Sequence, residues 1–441
     1  MRVGIVGGGL AGLTAAYELT KKGSSVVLFE ERPELGGQAS TFEVSGARLE
    51  RFYHHLFASD VHIVELIREL GLGDRLLWLD SKTGVFHKNR IYPFVSPTDL
   101  LRFDALSLVD RVRLGLLYIM LRRTRDWRKF EKITAKEWVI RHGSRQIYDV
   151  LWGPLLRGKF ADSAEEVSMT WLWGKVFLRG SSRSSGMAKE QLGYLDGSFQ
   201  MLIDALADAV VRRGGEIHAG TSVNRIVVEE GRARGLEVQG TGSATARYVA
   251  CDRIIATVPS FVFPRLVPVM PDTYADKLRR IRYQTAVCVV LELSRPLSHI
   301  YWLNISDESI PFVGLIEHTN FIPPEKYGGR HIAYLSNYVP SSDPLASLSD
   351  EALLDLYLPP LTKVNPEFKR GWITRVRVQR DPAGQPVVTT SYAENIPEHR
   401  TPISGLYLAN TTQIYPEDRG MNYSVRLGER ISRVVWEDVG S

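Results

Sequence analysis

Val3-Gly4-Ile5-Val6-Gly7-Gly8-Gly9-Leu10-Ala11-Gly12 is the stretch of sequence that decides the fold of this 441-residue chain. Residues 3–6 form a short apolar run typical of a buried strand, and residues 13–22 continue with helical periodicity as far as Gly23. A second apolar run at 26–29 ends at Glu30, 18 residues after Gly12. The sequence therefore predicts two parallel strands joined by a helix with a right-handed crossover.

The glycine spacing of this turn suits a bound dinucleotide. The glycines permit a tight turn and let backbone N–H groups approach a pyrophosphate at the helix N-terminus, while the Glu30 carboxylate can accept hydrogen bonds from a pair of ribose hydroxyls. The alternative is an ordinary glycine-rich turn between a strand and a helix. The residues predicted to bind the cofactor here are Gly7, Gly9, Leu10, Ala11, Gly12 and Glu30.

A second glycine turn follows the ribose acid directly, in Glu30-Glu31-Arg32-Pro33-Glu34-Leu35-Gly36-Gly37-Gln38. With this tandem signature the chain resembles the flavin-containing amine oxidoreductases, which include monoamine oxidases, protoporphyrinogen oxidase, phytoene desaturases and UDP-galactopyranose mutase. The resemblance implies FAD, with Glu31, Gly36, Gly37 and Gln38 in contact with it. Gln38 occupies the place where the family usually has an arginine beside the pyrophosphate.

The resemblance continues in three later segments. Residues 193–200 are similar to a glycine-rich stretch of the family, 221–226 to the segment whose valine, here Val223, contacts the adenine through its backbone, and 250–259 to the strand that returns to the FAD sheet. Near the C-terminus the resemblance implies flavin contacts from Asn410 and from the helix start at Arg419, Gly420, Met421 and Asn422. That segment has no cysteine, so we expect the FAD to be non-covalent.

The predicted fold class is α/β. We expect a Rossmann-like FAD-binding domain of glutathione-reductase type, formed by residues 1–60, 190–262 and 403–441. Residues 61–189 and 263–402 are assigned to an inserted substrate domain with a mixed sheet and a helical cap. Within it, periodicity predicts helices at 61–70, 99–120, 134–141 and 144–156.

The catalytic candidates rest on weaker patterns. Tyr53-His54-His55-Leu56-Phe57 resembles a loop of UDP-galactopyranose mutase, which implies that His55 lies near the flavin, where it could donate a proton. Glu317 and His318 follow an apolar run and are further polar candidates. For His55 the alternative is a packed or backbone-contacting histidine, and for Glu317 and His318 it is the end of a strand.

Cationic side chains in the insertion are candidates for substrate binding. Arg157, Lys159, Arg179 and Arg183 fall in or beside predicted loops and could grip a phosphate or carboxylate. The alternative is that they are simply solvated. Tyr415 is also assigned to the substrate site.

Residues 111–132 hold eight basic residues around the apolar run at 114–121. A basic amphipathic helix can lie on an anionic membrane. The competing interpretation is a buried core helix with a solvated basic tail. No apolar run is long enough to span a bilayer.

Composition narrows the function further. The net charge is +5, no nucleic-acid signature accompanies it, and the two cysteines, Cys251 and Cys288, have no metal-binding spacing. We therefore expect no metal and no nucleic-acid partner. Since a strand begins at Arg2, with no leader before it, we expect a cytoplasmic setting, with peripheral contact on the inner membrane face as a further option. The oligomeric state is left open.

The resemblance implies that hydride moves from a substrate C–H to flavin N5, and that oxygen or a quinone reoxidises the flavin. A hydrophobic, lipid-like or phosphate-bearing small molecule suits the aromatic and basic insertion. The alternative is a flavin-dependent isomerase of nucleotide sugars, in which reduced FAD acts as a nucleophile without net redox change.

Overall fold

The structure is a computed structural model that describes residues 1–181 and 191–440. The strands are β1 (Arg2–Val6), β2 (Ser25–Phe29), β3 (Thr41–Val44), β4 (Ala47–Glu50), β5 (Leu56–Phe57), β6 (Leu76–Asp80), β7 (Thr83–His87), β8 (Arg90–Pro93), β9 (Gln191–Leu195), β10 (Glu216–His218), β11 (Thr221–Glu229), β12 (Arg232–Gly240), β13 (Arg247–Ala250), β14 (Arg253–Ala256), β15 (Tyr283–Leu293), β16 (Trp302–Ile305), β17 (Gly314–Glu317), β18 (His331–Pro340), β19 (Ile373–Pro386) and β20 (Leu406–Leu408).

The helices are α1 (Leu10–Lys21), α2 (Val61–Glu69), α3 (Pro97–Arg102), α4 (Leu108–Arg123), α5 (Ala135–His142), α6 (Arg145–Ile147), α7 (Gly153–Phe160), α8 (Met169–Ser181), α9 (Gln200–Arg212), α10 (Phe263–Leu266), α11 (Asp272–Arg280), α12 (Asp350–Tyr357), α13 (Leu361–Val364), α14 (Tyr392–Asn395) and α15 (Met421–Gly440). A π-helical segment, Tyr148–Trp152, joins α6 to α7.

A five-stranded parallel sheet in the order β10-β2-β1-β14-β20 forms the first layer. Val3 and Ile5 of β1 are fully buried in one cluster with α1, α9 and α15. The other face carries Val27 and Ile254, which pack against the antiparallel sheet β11-β12-β13. This parallel sheet with its covering layers confirms the predicted α/β class.

A seven-stranded mixed sheet in the order β19-β15-β18-β17-β16-β7-β8 forms the second layer. One face presents Cys288, Val290 and Tyr334 to the same cluster as α1 and the parallel sheet. The other face, with Val289 and Leu335, packs against α12 and α13. The mixed sheet therefore presents one side of β15 and β18 toward the glycine turns.

Helices α3 to α8 form a separate apolar cluster around Phe103, Trp138 and Trp171. Helix α4 contributes Leu114, Leu117 and Leu121 to it, but its opposite side is apolar and exposed. The exposed side, here called the α4 face, consists of Leu108, Val109, Val112, Leu116, Ile119 and Met120, which are 41–65% exposed. Helix α4 is therefore apolar on two sides, and its contact with a membrane stays a prediction.

The domain division stays a prediction. Helix α2 lies in the segment assigned to the substrate domain, but its Ile63 and Leu66 belong to the cluster around α1 and α15. No helix among residues 1–181 and 191–440 is long and apolar enough to cross a membrane.

Candidate functional site

The first glycine turn connects β1 to α1 at the carboxyl end of the parallel sheet. Gly7 has φ +108°, and its N–H donates to the Phe29 carbonyl over 2.8 Å. A Cβ at Gly12 would collide with the Gly7 carbonyl oxygen. No side chain caps the helix at Gly9, so the first N–H groups of α1, at Leu10, Ala11 and Gly12, are left for an anion.

Glu30 stands beside this turn and is nearly buried, with 9% of its surface exposed. Its Oε2 accepts the Gly8 N–H at 2.7 Å, and its Oε1 accepts the Arg32 N–H at 2.9 Å. Each carboxylate oxygen keeps a lone pair for a further donor, as ribose binding requires. The neighbouring Glu31 is exposed.

The second glycine turn lies directly against the first. The Gly36 N–H donates to the Gly8 carbonyl over 2.8 Å, and a Cβ at Gly37 would approach the Gly9 Cα to 3.2 Å. A Cβ built on Gly9 meets only Gly37 Cα, at 3.9 Å. The space beside the two turns is therefore open and free of side chains, so the residues present fit a pyrophosphate.

The Gln38 side chain is hydrogen-bonded to other parts of the protein, whereas its place in the motif predicts a contact with the cofactor. Its Nε2 donates to the Ala383 carbonyl over 2.8 Å, and its Oε1 lies 3.5 Å from an Arg419 nitrogen. The side chain therefore joins the second glycine turn to β19. Its contact with a phosphate stays a prediction.

The start of α15 and the end of β20 are the segments predicted to meet the flavin. Asn422 Oδ1 accepts the Ile63 N–H at 3.1 Å, and Asn410 Nδ2 donates to the Val258 carbonyl over 2.9 Å. Both side chains therefore hold neighbouring segments together. The backbone N–H groups of the first turn of α15, beginning at Met421 after Gly420, are the donors that remain for a ligand.

A charged cluster, here called the buried cluster, lies beside Gly420, and its one exposed side chain is that of Lys175, at 41%. It comprises Lys159 of α7, Lys175 of α8, Tyr338 of β18, Asp418 and Arg419. Asp418 Oδ2 is 2.6 Å from Lys175 Nζ and 3.5 Å from Lys159 Nζ. Although burial opposes ionisation, these cations hold the pKa of Asp418 well below its usual range. The cluster therefore contains a stable buried carboxylate.

His55 lies in an aromatic wall, defined here as Tyr53, His55, Phe57, Tyr301 and Trp302. Its Nδ1 is hydrogen-bonded to the Tyr301 hydroxyl at 3.0 Å, and its ring meets Phe57 edge-on at 5.1 Å. The adjacent His54 bonds to the Phe52 carbonyl, and burial together with Arg419 lowers the pKa of His54 to about 4. A role for His55 in proton transfer stays a prediction.

Glu317 and His318 lie in the interior and are hydrogen-bonded within the protein, and their role in catalysis stays a prediction. The Glu317 carboxylate is fully buried and accepts the N–H groups of Leu297 and Ser298 at 2.8 and 2.7 Å, which fixes a turn. Burial raises its pKa to about 7. His318 bonds through Nε2 to the Tyr327 hydroxyl at 2.7 Å inside the core.

Of the predicted substrate residues, the three whose side chains the structure describes, Arg157, Lys159 and Tyr415, do not come together. Arg157 forms a surface ion pair with Glu308 at 2.6 Å, whereas Lys159 belongs to the buried cluster. The Tyr415 hydroxyl lies 3.4 Å from Glu131, with its ring against Trp127. The side chain of Arg179 and all of Arg183 lie outside the described part of the structure.

Sequence reasoning missed Tyr338, Asp418 and Lys175. Lys175 follows Trp171 by one helical turn, and the indole of Trp171 donates to Asp418 over 3.0 Å. Residues four apart on a helix lie on the same side, so this spacing could have indicated that both side chains reach one polar partner. Tyr338 had none, because it is one of two tyrosines in a mostly apolar strand.

Within the described ranges, no group of three or more His, Cys, Asp or Glu residues is arranged to hold a metal ion.

Known proteins resemble this chain over nearly its whole length. The family model described as flavin containing amine oxidoreductase matches residues 10–435. The chain is 22% identical over 436 residues to a 15-cis-phytoene desaturase of Synechococcus elongatus, covering 92% of this chain and 90% of that protein. It is 23% identical over 424 residues to the chloroplastic protoporphyrinogen oxidase 1 of Spinacia oleracea, covering 85% and 73%.

Among solved structures, reduced UDP-galactopyranose mutase has the same fold, with a TM-score of 0.75 at 16% identity, covering 99% of this chain and 95% of that one. The resemblance inferred from the glycine turns is confirmed.

Proposed function

The chain belongs to the flavin-containing amine oxidoreductase family, and from that premise we propose that it oxidises a C–H bond of an apolar, lipid-like or phosphate-bearing small molecule. It is an FAD-dependent oxidoreductase. Bound FAD would supply the hydride acceptor at flavin N5, to be reoxidised by oxygen or a quinone. Substrate class, acceptor and non-covalent attachment are parts of the proposal.

The observation that carries the proposal is the pairing of the two glycine turns beside Glu30. The uncapped start of α1 offers N–H groups to the pyrophosphate, and the Glu30 carboxylate offers lone pairs to the ribose. We propose that Val223 contacts the adenine through its backbone and that the first turn of α15 binds the flavin carbonyl oxygen. None of these contacts needs a covalent bond.

The chain's own contribution to chemistry is positioning and water exclusion. The aromatic wall is close-packed, with Tyr53 edge-on to Trp302 at 4.8 Å, and it suits an apolar substrate. The buried cluster suits an anionic group, because the charges of Lys159, Lys175 and Arg419 all act on the carboxylate of Asp418. An apolar molecule with one acidic group would satisfy both.

We further propose that the α4 face rests on an anionic membrane, from which such a substrate would be drawn. Its six apolar side chains are exposed, and the arginines that end the helix, Arg122 and Arg123, are exposed beside them. Apolar burial in the acyl boundary and attraction to anionic headgroups then act together.

Anaerobic reduction of the bound flavin tests the reaction. The purified holoprotein should lose its absorption near 450 nm when mixed with an electron-donating substrate, and phytoene in vesicles and protoporphyrinogen are the first two compounds to try. Recovery of the absorption on adding air or a quinone identifies the acceptor. A flavin that no hydride donor bleaches would refute the oxidase proposal.

The alternative is a flavin-dependent isomerase of a nucleotide sugar, supported by the loop around His55 and by the buried cations. Such an enzyme would act on UDP-galactopyranose only after dithionite reduction of the flavin, and it would consume no acceptor. Turnover of that compound by the reduced protein alone would select the isomerase.

A further inference from the structure

Tyr338 has an unusual set of neighbours for a buried phenol. Its hydroxyl accepts a hydrogen bond from an Arg419 terminal nitrogen at 3.1 Å and lies 3.4 Å from the Tyr53 hydroxyl. Lys159 Nζ stands 4.6 Å from the centre of the Tyr338 ring. The hydroxyl is therefore hydrogen-bonded to one cation, and a second cation lies over the ring inside the protein.

The charges around this hydroxyl do not balance. Among the described residues Asp418 is the one carboxylate that pairs with Lys159, and Lys175 shares its Oδ2. Asp418 Oδ1 is occupied by Trp171 and Gln385, each at 3.0 Å. Arg419 forms no ion pair within the described residues, and its donors go to amide oxygens and Tyr338. The charge of Asp381 acts on Arg419 from a greater distance and helps to raise its pKa. A negative charge at Tyr338 would relieve the excess.

The pKa of Tyr338 follows this arrangement. Burial alone would raise it, and Asp418 opposes ionisation, but the charges of Lys159 and Arg419 and the hydrogen bond with Tyr53 lower it to about 8. Tyr53 moves the other way, because burial and the neighbouring Tyr338 raise its pKa. Tyr334 lies four residues before Tyr338 on the same face of β18, and burial raises its pKa as well.

The Tyr338 hydroxyl lies between two segments that are predicted to contact the flavin, the second glycine turn and the start of α15. Arg419 directly precedes Gly420 at the start of α15, and its other terminal nitrogen reaches Gln38, next to Gly37. Tyr338 extends from β18 on the face of the mixed sheet that points toward the glycine turns. The phenol is thereby held between the second glycine turn and α15.

We propose that Tyr338 is the acid–base residue of the flavin site and accepts the proton that the substrate releases on oxidation. Bound FAD would take up the hydride from one C–H bond of the substrate. The proton on the neighbouring atom passes to the Tyr338 phenolate, and the electron pair of that bond forms the new double bond. This role rests on the proposed function, since it requires a two-electron oxidation.

Ultraviolet titration of the holoprotein tests the ionisation without any substrate. Absorbance near 295 nm should show one tyrosinate forming with a midpoint near pH 8 in the wild type, and the same in the matched variant Tyr334→Phe. Tyr338→Phe should lose that step. Lys159→Gln should move the midpoint up by about one pH unit, because a nearby cation is removed. If Tyr338→Phe does not fold, the shift of the midpoint in Lys159→Gln tests the ionisation of Tyr338 instead.

The flavin spectrum tests the location. Ionisation of a phenol beside the isoalloxazine should shift the absorption near 450 nm with the same midpoint, and Tyr338→Phe should abolish the shift. With a compound that bleaches the flavin, kcat/KM should rise as the pH passes 8 and fall about 100-fold in Tyr338→Phe.

Three results would overturn the assignment. They are the absence of a tyrosinate below pH 9.5, a tyrosinate whose formation leaves the flavin spectrum unchanged, or a pH profile of kcat/KM that is the same in Tyr338→Phe as in the wild type. The two spectroscopic readouts need no substrate. A tyrosinate that shifts the flavin spectrum in a protein whose flavin no hydride donor reduces would therefore refute the proposed oxidation and leave Tyr338 as the ionising group.

Discussion

Glu30 and Tyr338 show what can be inferred at the scale of single residues. The predicted role of Glu30 in binding the ribose rests on spacing along the chain, with a glycine turn, a helix and a strand between fixed positions. Tyr338 could not be predicted, because its neighbours Lys159 and Arg419 come from segments 179 and 81 residues away. The same limit applies to Glu317, because its sequence context does not show that its carboxylate accepts the N–H groups of Leu297 and Ser298.

Replacing Glu30 with alanine should cost most of the bound FAD. The carboxylate is the predicted acceptor for the ribose, and a hydrogen bond to a charged group contributes about 1.5–3 kcal/mol, so FAD should bind at least about tenfold more weakly. Fluorescence titration of apoprotein with FAD measures the change. Glu31→Ala, which removes the exposed acid next in sequence, is the control and should bind as the wild type does. Equal affinities for both variants would mean that the ribose lies elsewhere.

At the scale of elements, the local sequence pattern predicted that the helices exist, whereas tertiary contacts determine the residues at which they begin and end. Residues 99–120 were predicted as one helix, but α3 ends at Arg102 and α4 begins at Leu108. The break occurs because Phe103 is fully buried against Tyr92, and because the Ser107 hydroxyl caps α4 by accepting the Asp110 N–H. The π-helical segment between α6 and α7 likewise had no signal in the sequence.

The contact between α1 and α15 should tolerate no added side chain. A Cβ at Gly428 would lie 2.6 Å from the Ala11 carbonyl oxygen, so Gly428→Ala should push the two helices apart and lower the free energy of unfolding by about 1–3 kcal/mol. Gly115 of α4 is the matched helical glycine, since the nearest atom to its Cβ position is 3.5 Å away. Gly115→Ala should stabilise by up to about 1 kcal/mol. Urea denaturation compares the two, and a stable Gly428→Ala protein would disprove the close packing.

The α4 face should bind vesicles of anionic lipid. A triple variant with serine at Val112, Leu116 and Ile119 should lose most of its sedimentation with phosphatidylglycerol liposomes. Val269→Ser, an equally exposed apolar position outside the face, should bind normally. Unchanged sedimentation of the triple variant would rule out this surface.

The basic end of α4 should add an electrostatic part to the same binding. Neutralising Arg122, Arg123 and Arg125 with glutamine should weaken binding by about 1 kcal/mol per charge. High salt should have a similar effect on the wild type and little effect on the variant. Binding that is equal on phosphatidylcholine and on anionic vesicles would exclude the electrostatic part.

At the scale of the whole molecule, the sequence predicted the layers correctly. It did so because the strand–turn–helix signature and the later return segments each belong to the same parallel sheet, in the order β10-β2-β1-β14-β20. The mixed sheet was expected but not its register or the face it presents, since pairing such as β15 with β19 joins residues about 90 apart. The buried cluster depends on that register, which is why the candidate site was only half predicted.

The claim on which the rest depends is that this chain holds one FAD, non-covalently, at the two glycine turns. The direct measurement is the flavin content of the purified protein, by its visible spectrum and by release of the flavin on acid precipitation. We expect a yellow protein that releases one FAD per chain into the supernatant and takes it up again after refolding. A colourless protein that stays colourless with added FAD, or one whose flavin remains with the precipitate, would contradict the account.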